Sequence, residues 1–123
     1  MIRPSHQELY GKILRAKKAV SEGRVLIVEQ DVVAADALEL EYLIETELLG
    51  VLQELLEETS PGHYAGTRPP QRSYEREIEG LELFPFVVES NRFKCRVYYK
   101  FALAEEFFWL VSLHQDRGDK EAT

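Results

Sequence analysis

The chain has 123 residues, of which 45% are hydrophobic and 30% charged, and its formal net charge is −7 at pH 7. A chain of this length is expected to form a single domain, residues 1–123, that buries about two-thirds of its unfolded surface. No apolar stretch approaches the ~20 residues that a membrane helix needs, and no signal-peptide core follows the N-terminus. We therefore expect a cytoplasmic protein that does not contact membranes.

Cysteine and histidine are too sparse for a metal or redox centre. The single Cys95 cannot form an internal disulfide and is predicted to be a buried hydrophobic residue. His6, His63 and His114 are far apart and lack cysteine or carboxylate partners at ligand spacing. We expect no metal and no cofactor.

The charges are unevenly distributed. Residues 31–60 contain nine Asp and Glu and no Lys or Arg, whereas residues 1–30 contain six Lys and Arg against three Glu. Phosphate-binding proteins usually show the reverse balance, because neutralising phosphates supplies most of their affinity. The composition argues against nucleic acid covering the whole surface, but leaves a local basic site open.

The N-terminal half, about residues 5–58, is predicted to be helical around one short strand. Ser5 and Glu8 form a capping-box pattern that opens a helix from about His6 to Glu22, and Gly23 ends it. Residues 24–28 are too short and too β-branched for a helix and favour an edge strand. Asp31 is predicted to cap a short helix through Leu38, and a second apolar stripe predicts a helix from about residue 40 to 58.

An irregular Pro- and Gly-rich segment, residues 59–73, follows the helices and contains Arg68 and Arg72. A loop of this length in a small domain is either a segment that lines a site or a plain connector, and the sequence leaves both open. One or two helical turns are predicted over Tyr74–Glu79, ended by Gly80. The C-terminal tail, residues 115–123, is polar and is expected to fray.

Residues 81–114 contain three runs of aromatic, β-branched and aliphatic residues, over 81–89, 93–103 and 107–114. The intervals between them are short enough to force hairpins, so the runs predict a β-meander. The expected fold is α+β, with N-terminal helices packed on one face of a roughly four-stranded antiparallel sheet.

The middle run alternates between two faces. Odd-numbered residues from Phe93 to Leu103 are apolar and predict the core face, while Arg96, Tyr98 and Lys100 lie on the other. A three-residue loop over 104–106 would add Phe107, Trp109, Val111 and Leu113 to the core and leave Phe108, Leu110, Ser112 and His114 on the cationic face. A two-residue turn at 105–106 would move His114 to the core. Burial alone favours the first register.

The cationic face is the candidate site. Metal-free RNA cleavage needs a base for the 2′-hydroxyl, an acid for the leaving oxygen and cations for the charge that develops on phosphorus. Tyr98, Lys100 and His114 are the candidate catalytic residues, with Arg96 and Arg68 or Arg72 as substrate-binding residues. The alternative is a solvated face whose Lys and Arg serve solubility or protect an edge.

Two stretches resemble a known family. Val97-Tyr98-Tyr99-Lys100 and the strand that ends in Val111-Ser112-Leu113-His114 resemble the last two strands of the MqsR-like toxins, within the RelE-like bacterial ribonuclease toxins. Residues 17–25 are similar to that family's first helix, glycine and strand. Together these stretches cover about a fifth of the chain.

The resemblance implies an α+β toxin that cleaves mRNA and is silenced by an antitoxin encoded next to it, for instance a small helix-turn-helix protein. Tyr98 and Lys100 would be site residues, and His114 would take the place of the family's terminal basic residue. The rival prediction is a non-enzymatic interaction protein whose acidic helix, within residues 40–58, docks a basic partner. A homo-oligomer is compatible with either function.

Overall fold

The computed structural model describes residues 5–67 and 70–117, which form three α-helices and a four-stranded mixed sheet of order β1-β4-β3-β2. The class is α+β, as predicted. The elements, in chain order, are α1 (His6–Ser21), β1 (Val25–Ile27), α2 (Gln30–Leu40), α3 (Ile44–Glu57), β2 (Phe84–Ser90), β3 (Cys95–Ala104) and β4 (Phe107–Gln115), with short 3₁₀ turns at Pro61–His63 and Arg76–Ile78.

The first helix agrees closely with its prediction. The Ser5 side chain accepts a hydrogen bond from the Glu8 amide and the Glu8 carboxylate accepts one from the Ser5 amide, which is the capping box. The helix ends at Ser21, and Gly23 adopts a φ of 74° that favours glycine. The buried side of α1 packs into the main core, through Leu9, Ile13, Ala16, Ala19 and Val20.

The second and third helices differ from their predictions at their first residues. The N-cap of α2 is Glu29, without a side-chain cap, so the predicted capping role of Asp31 is wrong and Asp31 lies in the first turn. Its carboxylate still interacts favourably with the positive end of the helix dipole. Glu41 adopts a left-handed conformation with φ 64°, which ends α2 and delays α3 until Ile44.

The sheet is mixed, because β1 runs parallel to β4 with Leu26 opposite Trp109. The prediction of a purely antiparallel sheet is therefore wrong, although β1 does lie at the edge. A β-branched run identifies a strand but carries no information about direction, and the connection through α2 and α3 is long enough to permit either orientation. The meander of β2, β3 and β4 is antiparallel, as expected.

The core face of β3 is close to that predicted. Val97, Tyr99 and Phe101 are fully buried, and their neighbours on adjacent strands are Val88, Phe86 and Phe84 on β2 and Leu113 and Leu110 on β4. Four aromatic rings of the core stack in pairs, with ring centroids 4.7–6.0 Å apart. They belong to Phe86, Tyr99, Phe101 and Phe108. Buried residues of all three helices join this single cluster.

The β3–β4 hairpin begins in the second of the two predicted registers, with the two-residue turn at 105–106, and leaves that register at a bulge. Ala104 pairs with Phe107 across a two-residue turn in which Glu105 has a φ of 57°. Phe108 and Leu110 are therefore in the core, and the prediction that Phe107, Trp109 and Val111 would fill it is wrong. A β-bulge then places one extra residue, Val111, opposite the Lys100–Phe101 step.

The bulge restores the predicted face for the end of β4. Beyond it, Ser112 pairs with Lys100, Leu113 with Tyr99 and His114 with Tyr98. Leu113 is in the core and His114 is only partly buried on the outer face. A two-residue turn and an outward-facing His114 thus occur together, which the alternation of side chains alone did not allow.

Part of the outer sheet face is covered by a second apolar cluster. Ile78, Leu83 and Ala102 are buried there, with Trp109 and Val111 packed against them. The segment before β2 contributes to this cluster and is closed by an isolated antiparallel β-bridge between Arg72 and Glu82. Within it, the helical turn predicted over 74–79 is a short 3₁₀ turn, Arg76–Ile78. Earlier in the chain, the Ala65 amide donates a hydrogen bond to the Pro85 carbonyl, and Tyr64 forms an isolated antiparallel β-bridge with Phe86. Residues 64–65 therefore cover part of the edge of β2.

Within residues 5–67 and 70–117 no helix combines the length and apolar character needed to cross a bilayer. Arg68 and most of the polar tail lie outside the described residues.

Candidate functional site

The three predicted catalytic residues lie on the outer face of neighbouring strands. Tyr98 is directly opposite His114, and Lys100 is opposite Ser112. Since residues two apart on a strand share a face, Lys100 and Tyr98 are adjacent on β3. On the other side of β3 they are flanked by Val87 and Pro85 of β2. The sheet therefore brings a phenol, an ammonium and an imidazole together.

Tyr98 and His114 are in ring contact. Their ring centroids are 5.1 Å apart and their planes differ by 15°, which is a stacked arrangement. Burial raises the pKa of the Tyr98 phenol above its ordinary value, so it remains protonated and a hydrogen-bond donor at neutral pH. The stack fixes the position of the imidazole against the sheet.

The two nitrogens of His114 have different partners. Nδ1 lies 2.8 Å from the Gln115 carbonyl oxygen, and Nε2 lies 3.3 Å from Nη1 of Arg117. A carbonyl only accepts and a guanidinium only donates, so this arrangement fits the tautomer with its proton on Nδ1 and its lone pair on Nε2. Nε2 is then the nitrogen that can take up a proton.

Arg117 connects His114 to the helical layer. Its Nη2 is 4.0 Å from Oδ1 of Asp36 on α2. Sequence reasoning did not find either residue, since Arg117 falls in the tail that was expected to fray and Asp36 lies some 80 positions earlier. No sequence pattern links them, because the contact depends on where β4 ends relative to α2.

Lys100 is partly buried, and burial lowers the pKa of its ammonium group. Desolvation is the sole cause of that shift, and no carboxylate among the described residues forms an ion pair with Lys100. A partly desolvated cation without a counter-ion is well suited to bind a phosphate, and a lowered pKa makes it a better proton donor.

Two of the predicted substrate-binding arginines, Arg96 and Arg72, already have partners within the chain, so they are less available than Lys100 to bind a phosphate. Arg96 is exposed but its Nη2 lies 3.6 Å from Oδ2 of Asp116. Arg72 donates to the Gly80 carbonyl at 2.6 Å and lies 3.9 Å from the Glu82 carboxylate, so it holds the segment before β2. Arg96 shares the outer face with Tyr98, two residues away on β3, whereas Arg72 does not contact any of the three central residues within the described chain.

The histidine, cysteine and carboxylate side chains do not form a metal site in the part of the chain that the structure describes, where no three of them cluster. Cys95 is partly buried against the core, and burial raises the pKa of its thiol, which keeps it protonated. The chain matches no protein-family model and no curated protein of known function. A function for this chain is therefore inferred from the geometry of these residues.

Proposed function

We propose that this chain is a metal-independent endoribonuclease of the RelE-like, MqsR-related toxin type, or a catalytically weakened relative, with Tyr98, Lys100 and His114 at its active site. The observation that supports it is the juxtaposition of these three side chains on one partly exposed face, with Tyr98 and His114 stacked 5.1 Å apart. Each has the chemistry that metal-free cleavage of a phosphodiester requires.

In the proposed reaction, Arg117 first releases Nε2 of His114. Nε2 then removes the proton of a ribose 2′-hydroxyl, and the 2′-oxygen attacks the adjacent phosphorus. The bond from phosphorus to the 5′-oxygen of the next nucleotide breaks, which leaves a 2′,3′-cyclic phosphate and a free 5′-hydroxyl. Lys100 neutralises the charge on the phosphorane and donates the proton to the leaving oxygen, which its lowered pKa favours. The Tyr98 hydroxyl donates a hydrogen bond to a non-bridging oxygen.

Arg96, whose own side chain is exposed, would contribute a second positive charge after exchanging Asp116 for phosphate. Arg72 would need to give up its contacts with Gly80 and Glu82, so we assign it a lesser role. Arg68, the third predicted substrate-binding residue, remains part of the proposal on sequence grounds alone. The proposal includes silencing by an antitoxin, for example a small helix-turn-helix protein.

The rival function, an interaction protein that docks a basic partner on the acidic helix, has weaker support. Arg92, in the β2–β3 turn, lies 3.2 Å from the Glu47 carboxylate and 2.7 Å from that of Glu54. Glu57 lies 3.9 Å from Lys17. Several α3 carboxylates are thus already paired within the chain, and a partner would have to displace those contacts.

The deciding experiment combines expression in bacteria with RNA analysis. We expect growth arrest and fragmented mRNA for the parent chain, and normal growth for Lys100→Ala and His114→Ala. Lys18→Ala, at an exposed position on α1, is the matched control and should retain the arrest. Purified protein with RNA in EDTA should yield 2′,3′-cyclic phosphate ends. Intact RNA and normal growth with the folded parent chain would overturn the proposal in favour of the interaction protein.

A further inference from the structure

An apolar groove lies between the end of α2 and the beginning of α3. It has a volume of about 360 Å³, and Ala37, Leu38, Tyr42, Leu43 and Ile44 are among the residues that line it. The groove exists because Glu41 turns the chain with a positive φ, so that the last turn of α2 and the first turn of α3 diverge around Tyr42. It belongs to the helical layer and uses none of the three proposed catalytic residues.

Two leucines beside this groove are unusually exposed. The side chain of Leu38 is 80% exposed and that of Leu43 is 65% exposed, the highest values for any leucine among the described residues. Single exposed leucines are ordinary on protein surfaces, but two that border a concave apolar surface indicate a binding site for an apolar side chain. Tyr42, at the base, is buried and its hydroxyl has no hydrogen-bond partner within the described chain.

The rim of the groove is acidic. Residues 31–60 contain no Lys or Arg, so nothing basic flanks the groove in sequence. Glu39, Glu41 and Glu45 are all exposed, and none of them forms an ion pair with another described residue. They differ in this from Glu47 and Glu54, which Arg92 neutralises. Of these three carboxylates Glu45 lines the groove, and Glu39 and Glu41 lie within two residues of the exposed leucines in the sequence.

We propose that this groove docks a basic amphipathic helix of a partner protein. The apolar stripe of that helix would cover Leu38 and Leu43, and its flanking Lys or Arg would pair with Glu39, Glu41 and Glu45. Helix-in-groove recognition combines an apolar stripe with flanking charges in this way. Symmetric pairing of two copies through this groove is disfavoured, since it would oppose two acidic rims. The inference does not depend on the proposed nuclease activity.

The test uses a fluorescein-labelled, 16-residue helical peptide of Leu and Lys, with Leu on one face, and measures its fluorescence anisotropy with the full chain at 150 mM NaCl. Leu43→Glu is expected to weaken binding at least tenfold. Leu14→Glu is the matched control, because Leu14 is 46% exposed on α1 and receives the same charge change. It should bind like the parent chain. Circular dichroism melting establishes that both variants are folded.

A second arm tests the acidic rim. Glu39→Gln combined with Glu45→Gln should weaken binding several-fold and reduce its dependence on salt. Binding by both Leu43→Glu and Leu14→Glu that is as tight as or tighter than that of the parent chain would overturn the proposal, because the peptide would then respond only to net charge, which each variant makes more negative. Equal binding of a peptide with Glu in place of Lys would also overturn it, as would a dimer in sedimentation that Leu43→Glu dissociates, since a second copy would then be the occupant.

Discussion

Tyr98 and His114 lie directly opposite each other on β3 and β4, with their rings stacked 5.1 Å apart. Tyr98 can therefore contribute to the site in two ways: its ring positions His114, and its hydroxyl donates a hydrogen bond to the substrate. Tyr98→Phe keeps the stack and removes the donor, whereas Tyr98→Leu removes both.

We expect Tyr98→Phe to melt at the parent temperature and to cleave RNA roughly 10- to 100-fold more slowly, in line with the loss of one hydrogen bond to the transition state. Single-turnover cleavage in EDTA measures the rate. Tyr74→Phe is the control, because the side chain of Tyr74 is 92% exposed. Full activity in Tyr98→Phe would restrict Tyr98 to positioning His114 through its ring.

Lys100 should show opposite effects on stability and activity. Its pKa is lowered by burial, so the folded state disfavours the ammonium and the penalty applies at pH values below the folded pKa. Lys100→Met has similar length without the charge, and we expect it to be equally stable or about 0.5 kcal/mol more stable at pH 7 while losing cleavage. The gain should shrink as the pH approaches 10.5. A marked loss of stability would instead identify Lys100 as a structural residue.

The bulge at Val111 makes a prediction about register. Deleting Val111 removes the extra residue, so Phe101 would still pair with Leu110 and Lys100 with Ser112, in a regular ladder. We expect the deletion variant to fold at a cost of about 1–2 kcal/mol, the lost packing of one valine. An NMR cross-peak between the Tyr98 and His114 rings should persist.

Deletion of Trp109 is the contrasting variant. It would make Phe108 and Leu110 consecutive, and adjacent residues of a strand cannot both face the core. That variant should unfold or populate expanded states by circular dichroism and urea titration. If both deletions behaved alike, Val111 would not be the extra residue of β4 whose removal leaves the register intact.

Local chemistry made much of this fold predictable. The capping box of α1, Gly23 and the alternation along β3 each specify a conformation within a few residues, and each prediction is confirmed. The same alternation placed Tyr98 and Lys100 on one face. These features depend on neighbours in sequence, which a single sequence displays.

The features that could not be predicted depend on contacts between distant segments. The parallel direction of β1 is set by how α2 and α3 cross the sheet, and the bulge is set by the simultaneous burial of Phe108, Leu110 and Leu113. The ends of the helices near Glu29 and Glu41 depend on backbone geometry that several residue types permit. Arg117 reaches His114 only because β4 ends beside Asp36.

A buried hydrogen bond between Thr59 and Tyr99 joins the end of α3 to the sheet. The Thr59 hydroxyl donates to the Leu55 carbonyl at 2.6 Å, so the Tyr99 hydroxyl, 2.7 Å away, must donate to Thr59. Thr59→Val should therefore leave a buried donor unpaired and cost about 1–3 kcal/mol. Tyr99→Phe removes that donor, and the double variant should be less destabilised than the sum of the two, as measured by urea unfolding. Strict additivity would show that the bond contributes nothing.

Two buried tyrosines predict loss of stability in alkali. Burial, with a contribution from Asp36, raises the pKa of Tyr42 to about 12, and burial raises that of Tyr99 further still. Above pH 10 the unfolded chain releases these protons while the folded chain retains them, so the stability present below pH 10 is lost as the pH rises.

The free energy of unfolding should therefore fall between pH 10 and 12, by on the order of 3 kcal/mol through Tyr42 alone. Tyr42→Phe should flatten that slope. At pH 7 it should be neutral or slightly stabilising, since the Tyr42 hydroxyl has no hydrogen-bond partner within the described chain. Urea titrations from pH 7 to 11.5 measure both effects, with the exposed Tyr10→Phe as the control. An unchanged slope in Tyr42→Phe would mean that this phenol ionises as readily in the folded chain as in the unfolded one.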